Sequence, residues 1–201
     1  DAFSLENLQV EGSGFDLIYV LSSDPLPGLA LVDAKVVLDR EIPKSPSAPR
    51  IPVDRFHGKA NDQLKQLALE SGILSRFRVD PDFHNGEFER LYLRWLENSL
   101  ERPGEVVLVT QDELGLTGFV SLAHGDASSS IGLIAVDARA RGKGVGSALL
   151  DASFVAVREA GNHRITVVTQ EENKAAMALY ASAGFQVIER TCIHHYRPKK
   201  G

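Results

Sequence analysis

The feature that most constrains the fold is a strand–loop–helix–strand unit in the second half of the chain. An apolar, strand-like segment at 131–136 leads into a glycine-rich loop at 141–146 (RGKGVG), and an amphipathic helix follows from about 145 to 159. A β-branched segment at 164–170 then predicts a second strand. Two strands joined through a helix lie parallel in one sheet. The unit therefore predicts a parallel pair of strands with the helix packed on one face.

The loop between the first strand and the helix has the chemistry of an anion site. Gly142, Gly144 and Gly146 alternate with other residues, so the backbone can approach an anion with no Cβ in the way. A helix N-terminus adds unpaired N–H groups and the positive end of the helix dipole. Arg141 and Lys143 add formal charge. The combination predicts a pyrophosphate site, although a glycine-rich helix start with incidental basic residues would look similar.

The spacing of the loop excludes two common phosphate-binding motifs. A P-loop requires Gly-x-x-x-x-Gly-Lys-Ser/Thr, whereas here Lys143 precedes Gly144-Val145-Gly146. A dinucleotide-binding turn requires Gly-x-Gly-x-x-Gly after the first strand of its unit, and this loop has neither that spacing nor that position. The pattern present is Arg-x-x-Gly-x-Gly.

A second pattern lies downstream in the order Asn173, Ala176, Tyr180, Gly184 and Phe185. Together with Arg-x-x-Gly-x-Gly it resembles the signature of the GCN5-related N-acetyltransferases (GNAT). The resemblance implies an α/β (α+β) GNAT fold, with helices flanking a mixed, mostly antiparallel sheet whose central parallel pair splays at the acetyl-CoA site. It also implies acetyl-CoA as co-substrate and no metal.

The resemblance assigns roles to individual residues. Tyr180 would be the catalytic acid that protonates the departing thiolate, because a phenol with a pKa near 10 can donate that proton. The alternative for Tyr180 is a helix tyrosine that merely packs on the sheet. The residues expected to bind acetyl-CoA are Ile134, Ala135, Val136, Arg141, Gly142, Lys143, Gly144, Val145, Gly146, Ser147, Thr169 and Asn173.

No residue stands out in the sequence as the general base. The candidates are His57, His84, Asp80, Asp82, His124 and Glu171, and each is also readily explained as a solvated surface group. An acceptor amine of modest pKa could lose its proton to water without a dedicated base.

The N-terminal third is organised differently from the rest. Residues 1–42 predict a β-rich segment that either extends the sheet or forms a small lobe, with strands near 15–21 and 29–39. Four prolines between 43 and 52 predict a linker, and the acetyltransferase domain is expected over 53–201. Helices are expected at 61–70, capped by Asn61, and at 85–100, capped by Asn85, with a loop at 75–81 between them.

A narrower resemblance concerns the acceptor. Segments at 75–78 (SRFR), 92–98 (YLRWLEN), 118–122 (GFVSL) and 168–170 (VTQ) are similar to dTDP-fucosamine acetyltransferases, which acetylate a dTDP-linked 4-amino-4,6-dideoxyhexose. The likeness spans most of 29–197 and departs at the loop tip, at 43–52 and at His194-His195. A nucleotide-sugar brings a diphosphate, and Arg76 and Arg78 are the residues expected to bind it. These arginines could instead pair with Asp80 or Asp82.

Other acceptors and roles stay open at this point. A peptide N-terminus, a polyamine or an aminoglycoside would also suit an N-acetyltransferase, and a non-catalytic acetyl-CoA-binding module would carry the same loop. The oligomeric state is open as well, a homodimer included.

Composition narrows the classes of partner. The 201 residues are 43% hydrophobic, enough for one substantial core, and the formal net charge of −5 argues against nucleic-acid binding. Cys192 is the single cysteine, and His194 and His195 point to opposite faces if they lie on a strand, so neither a disulfide nor a zinc site is expected. No apolar stretch approaches the roughly 20 residues of a membrane span. A cytoplasmic enzyme is the default expectation.

Overall fold

The computed structural model describes residues 14–199 together with Leu5, Leu8 and Gln9. The remainder of the predicted N-terminal segment before residue 14 lies outside the described residues. Between residues 14 and 199 the chain forms eight strands: β1 (Ile18–Ser22), β2 (Leu31–Glu41), β3 (Asp54–Arg55), β4 (Glu105–Asp112), β5 (Gly115–His124), β6 (Ser129–Val136), β7 (Arg164–Gln170) and β8 (Gln186–Tyr196). The helices of the same part are α1 (Asp62–Ser71), α2 (Arg76–Val79), α3 (Glu87–Glu101), α4 (Val145–Glu159) and α5 (Lys174–Ser182).

The strands form one mixed sheet in the order β1-β8-β2-β7-β6-β5-β4-β3. Neighbouring strands are antiparallel except for the central pair β6 and β7, which is parallel. The parallel ladder contains only the pairs from Ser129↔Ile165 to Ile131↔Val167, although both strands continue beyond it. The predicted mixed sheet with a central parallel pair that separates at one end is confirmed.

The strands of the N-terminal segment belong to this sheet. β2 lies between β7 and β8 and pairs with both along most of its length, and β1 pairs with β8 at the edge. The linker that follows β2 is attached to α4, because Arg158 donates a hydrogen bond from Nε to the Pro43 carbonyl at 2.9 Å. Ile42, which precedes it, is buried and its N–H donates to the His163 carbonyl.

Each face of the sheet has its own hydrophobic core. On one face α4 and α5 pack on β2, β6 and β7, with Val36, Leu149, Phe154, Val167 and Tyr180 among the buried residues. On the other face α1 and α3 pack on β4, β5 and β6. Helices on both sides of a sheet are the layered arrangement that the alternation of helical and strand periodicities predicts.

The helix boundaries depend on local capping. Asn61 caps α1 as predicted, since its side chain accepts from the Leu64 N–H at 2.8 Å. The prediction that Asn85 caps α3 is wrong: the cap position is Gly86, which has a φ of +79°, and the Asn85 N–H instead donates to Glu87 Oε2. The loop expected at 75–81 contains a single helical turn, α2.

Among the described residues, no helix is long and apolar enough to cross a membrane. The same residues contain no group of three or more His, Cys, Asp or Glu side chains that could hold a metal ion.

Candidate active site

A cavity of ≈670 Å³ opens where β6 and β7 separate. Its walls come from the end of α1 and the residues after it (70–74), the end of β6 (134–136), the glycine loop and start of α4 (140–147), and the start of α5 with its preceding turn (172–180). The cavity therefore joins the two sequence patterns that lie far apart in the chain.

The wall supplied by β6 is a free strand edge. Ile134, Ala135 and Val136 pair with β5 on one side, but the β6–β7 ladder has already ended at Ile131 on the other. Backbone N–H and C=O groups along such an edge need partners. The structure thus places this edge where a ligand that carries amide groups can pair with the backbone groups that point away from β5.

The glycine loop forms the wall at the start of α4. Gly142 and Gly144 have φ values of +74° and +84°, a region that favours glycine. Gly144 is the N-cap of α4 and makes no side-chain capping bond, so the first N–H groups of the helix are available to an anion. Gly142, Gly144, Val145, Gly146 and Ser147 line the cavity.

Arg141 lies at the mouth of the cavity and already has partners. Its Nε donates to the Val136 carbonyl at 3.1 Å, and its Nη2 lies 3.5 Å from Glu70 Oε2 on the opposite wall. The side chain is more than half exposed. An incoming phosphate would therefore meet a positioned guanidinium and a carboxylate that competes for it.

Tyr180 reaches the cavity from α5. The residue is 2% exposed, and its ring packs against Phe185 at a centroid distance of 5.4 Å. Burial raises the pKa of Tyr180 above its ordinary value, so the hydroxyl is protonated at neutral pH. Asn173 also lines the cavity, and its Oδ1 caps α5 by accepting from the Ala176 N–H at 3.1 Å. A proton donor and a side-chain amide thus lie along one wall.

Four of the residues expected at the site lie elsewhere. Val168 is exposed, so its neighbours Val167 and Thr169 point to the opposite, buried side of β7, which faces the α4 core. Thr169 does not line the cavity. Lys143 is exposed on the loop and is not among the lining residues. Arg76 pairs with Asp33 at 3.6 Å and Arg78 with Glu89 at 3.4 Å, outside the cavity wall.

The candidate bases are not at the cavity either. His57 and His84 are exposed, and Glu171 pairs with Arg190 at 3.3 Å. His124 Nδ1 lies 2.8 Å from the Ser129 hydroxyl, near the far end of β5. The Asp82 carboxylate pairs with Arg197 at 3.0 Å. None of these side chains lines the cavity.

The sixth candidate, Asp80, belongs to a buried polar group that the sequence did not reveal. Asp80 accepts hydrogen bonds from His195 Nδ1 and from Arg197. Burial acts to raise the pKa of Asp80, but the hydrogen bonds from His195 and Arg197 outweigh it and lower that pKa. Burial lowers the pKa of His195 despite Asp80. The pair is therefore an ionised carboxylate beside a neutral imidazole whose Nδ1–H donates to it.

Asp33 is another buried acid whose role the sequence did not indicate. It lies on β2 with 5% exposure, and burial raises its pKa although Arg76 acts to lower it. The signal available was an acid at position 33 within the segment 29–38, which is apolar apart from Asp33 and Lys35. Nothing local indicated that α2 and β8 would pack on that acid.

A family model described as the acetyltransferase (GNAT) family matches residues 67–185. The chain belongs to this family. The match runs from within α1 to Phe185, so it includes the β6 edge, the glycine loop and Tyr180. GNAT acetyltransferases use acetyl-CoA as the acetyl donor.

Two curated relatives are similar to parts of this chain. A mycothiol acetyltransferase of Propionibacterium freudenreichii subsp. shermanii is 37% identical over 87 residues, which is 41% of this chain and 28% of the relative. The spore coat polysaccharide biosynthesis protein SpsD of Bacillus subtilis is 27% identical over 140 residues, 69% of this chain and 48% of the relative. The chain thus spans less than half the length of either relative.

The fold is shared with solved structures of low sequence identity. A conserved protein of unknown function from Staphylococcus epidermidis ATCC 12228 superposes with a TM-score of 0.69 at 13% identity, covering 97% of this chain and 80% of that chain. Because β1 and β2 lie within the covered part, the likeness extends beyond the residues that the family model matches.

The cavity fits the acetyl-CoA that the family uses. A Cβ on Gly146 would lie 3.1 Å from Leu179 Cδ2, so glycine allows α4 and α5 to approach closely at this wall. The loop amides and Arg141 suit a pyrophosphate, and the free β6 edge suits an arm that carries amides. The residues that could hold the donor are therefore those of the β6 edge, the glycine loop and Asn173.

Proposed function

We propose that the protein transfers the acetyl group of acetyl-CoA to the amino group of a nucleotide-linked amino-deoxy sugar, of the dTDP-4-amino-4,6-dideoxyhexose type, by direct attack in a ternary complex. The observation that carries the acetyl transfer is the single cavity that extends from the glycine loop to Tyr180. Anchoring groups for a pyrophosphate and a buried proton donor lie on its walls, in a chain that belongs to the acetyltransferase (GNAT) family.

The chemistry assigns one task to each wall. The neutral acceptor amine attacks the thioester carbonyl, the C–N bond forms and the C–S bond breaks, and the amine gives up one proton to water. A backbone N–H of the β6 edge polarises the carbonyl oxygen as charge builds on it. Tyr180 donates its proton to the departing sulfur and regains one from solvent. This proposal requires no metal.

The acceptor class is supported by the comparisons rather than by the cavity. SpsD bears a name that places it in polysaccharide biosynthesis, and its similarity covers 69% of this chain. The segments that resemble dTDP-fucosamine acetyltransferases point to the same class. Arg78 is the arginine available for the diphosphate of such an acceptor, since its side chain is 57% exposed and its contact with Glu89 is long.

An assay of thiol release from acetyl-CoA tests the proposal. We expect turnover with dTDP-4-amino-4,6-dideoxy-D-galactose, and much less with polyamines, aminoglycosides or peptides that have free N-termini. Preferential turnover of one of those other amines would overturn the acceptor class. Tight CoA binding without turnover of any amine would overturn catalysis and favour a CoA-binding module.

Arg78→Ala tests the diphosphate contact. We expect a higher KM for the nucleotide-sugar with an unchanged KM for acetyl-CoA. The control is Arg94→Ala, which removes an exposed arginine that pairs with Glu97 on α3. Equal effects of the two variants on the nucleotide-sugar would contradict the contact.

A further inference from the structure

A group of buried polar side chains lies beside the cavity, where β2, α2 and β8 meet. Asp33 lies within hydrogen-bonding reach of Gln170, the last residue of β7. Glu172, two residues after Gln170, lines the cavity. Ser75 directly follows Leu74, which also lines the cavity. The group therefore adjoins two segments of the cavity wall.

This group, the Asp33 cluster, consists of Asp33, Ser75, Arg76, Asp80 and His195. Four of its polar atoms are buried and make no well-formed hydrogen bond: Asp33 Oδ1, Ser75 Oγ, Arg76 Nε and His195 Nε2. The Tyr92 hydroxyl lies near Ser75, and the Gln170 side chain lies near Asp33. Asp33, Ser75 and His195 are only 5%, 4% and 6% exposed. Buried polar atoms are usually paired, since an unpaired one loses its hydration without compensation. Several together indicate a site whose partner is a ligand.

The unpaired atoms define what that ligand must offer. His195 Nδ1–H donates to Asp80, so Nε2 is left as an acceptor. Asp33 Oδ1 is an acceptor as well, the Ser75 hydroxyl can act either way, and only Arg76 Nε is an obligatory donor. A ligand that mainly donates hydrogen bonds satisfies this set.

The contact between Arg76 and Asp33 is loose. The shortest contact between Arg76 Nη1 and Asp33 Oδ2 is 3.6 Å, longer than a well-formed hydrogen bond. The Arg76 guanidinium stacks over the rings of Tyr19 and Phe77, with Cζ at 5.4 Å and 4.5 Å from their centroids. The Arg76 side chain is 27% exposed, which makes it the outermost part of the cluster.

We propose that Asp33, Ser75 and His195 form the acceptor subsite and bind the hydroxyl groups of an amino sugar, with Arg76 as the displaceable outer wall. The inference rests on the proposed function and adds to it the residues that recognise the sugar. In this proposal the sugar and the diphosphate are bound by different residues, and the diphosphate lies outside the cluster. Asp80 is a positioning residue that fixes the orientation of the His195 ring.

Binding of the acceptor to the CoA-loaded protein tests the subsite by isothermal titration calorimetry. The probes are dTDP-4-amino-4,6-dideoxy-D-galactose and D-glucosamine. Asp33→Asn should raise the Kd of both probes at least 10-fold while the Kd for CoA changes less than 2-fold. The matched control is Asp39→Asn, on the same strand and equally buried, whose carboxylate pairs with Arg164. Asp39→Asn should leave the Kd of both probes unchanged.

Two further variants address the risk that Asp33→Asn does not fold. His195→Asn keeps a donor near Asp80 and removes Nε2, so it should also raise the Kd of the probes at least 10-fold. Ser75→Ala removes an unpaired hydroxyl, so Tm without acceptor should stay equal or rise. A lower Tm for Ser75→Ala would indicate a purely structural cluster.

The outcomes separate this inference from the proposed function. Probes that bind equally to the wild type and to the Asp33 and His195 variants overturn the subsite, as does a wild type that binds neither probe. Binding that depends on the cluster but leads to no acetyl transfer supports the subsite and overturns the function. Transfer with a KM unchanged in the variants overturns the subsite alone.

Discussion

Among single residues, Tyr180 combines deep burial with access to the cavity. Tyr180→Phe keeps the ring and its packing on Phe185 but removes the proton donor. We expect kcat to fall roughly 10²-fold, the lower range for loss of a general acid, with little change in the Kd for acetyl-CoA. Tyr196→Phe is the control, since its hydroxyl donates to Gln9 away from the cavity. A fully active Tyr180→Phe enzyme would contradict the role of Tyr180 as the catalytic acid.

The burial of Tyr180 also sets a pH dependence. The acid must be protonated to act, and burial raises its pKa above the ordinary tyrosine value of about 10. Activity due to this group is therefore present below the raised pKa and lost only above it. A kcat profile should show no loss from this acid between pH 7 and pH 10. A descending limb between pH 8 and 9 that disappears in Tyr180→Phe would contradict the expectation.

We expect Glu70 to compete with the donor for Arg141. The two side chains face each other at 3.5 Å, and Glu70→Gln removes the negative charge while keeping the shape. Because exposed ion pairs contribute about 0.2–1 kcal/mol, the Kd for acetyl-CoA should fall by about 2- to 5-fold at most. Asp62→Asn, an exposed acid on the same helix, should leave this Kd unchanged. Weaker binding in Glu70→Gln, measured by calorimetry, would show that Glu70 supports the donor instead.

At the scale of elements, the glycine loop is a conformational requirement. Gly142 has a φ of +74°, and a Cβ there would meet no atom within 4 Å, so strain in the backbone is the main effect of Gly142→Ala. We expect a loss of roughly 1–2 kcal/mol in stability and a weaker affinity for acetyl-CoA. Gly58 has a φ of +90° and equally open surroundings, so Gly58→Ala should cost similar stability with an unchanged Kd. An unchanged Kd for acetyl-CoA in both variants would show that donor binding does not require this loop conformation.

Local sequence signals predicted the boundaries of several helices and strands correctly. The expected bounds of α4 and β7 agree with the structure, and Asn61 caps α1 as predicted. The predicted α3 cap was one residue too early, because Gly86 adopts a positive φ and leaves Asn85 outside the helix. The glycine was visible in the sequence, whereas the conformation that it adopts depends on the loop around it.

At the scale of the whole molecule, β2 is an interior strand supplied by the N-terminal segment. Deletion of residues 1–42 should abolish folding, because β7 and β8 would each lose their partner along β2. Deletion of residues 1–23 removes the edge strand β1 together with the residues before it, and it should give a folded, less stable protein. Circular dichroism and size-exclusion chromatography distinguish the two. A folded, monomeric 43–201 fragment would show that the domain does not need β2.

The part of the site that could be predicted is the part built from residues close together in the sequence. The cavity is built from contiguous patterns, so the sequence indicated the glycine loop, the β6 edge, Asn173 and Tyr180. The Asp33 cluster depends on contacts between distant residues, such as Asp80 and His195, which are 115 positions apart. Arg76 was expected to face a diphosphate, but a buried acid on β2 holds it, and that acid has no motif.

The position of β2 also affects the order in which the chain can assemble. β2 leaves the ribosome early, yet both of its neighbours, β7 and β8, follow residue 163. Until most of the chain is made, an apolar strand with two unpaired edges has no native partner, which favours slow folding and association between chains. Asp33, Lys35, Asp39 and Arg40 place charges along this strand, and charges of this kind discourage such association. Asp33 would then protect the nascent chain before it serves the finished enzyme.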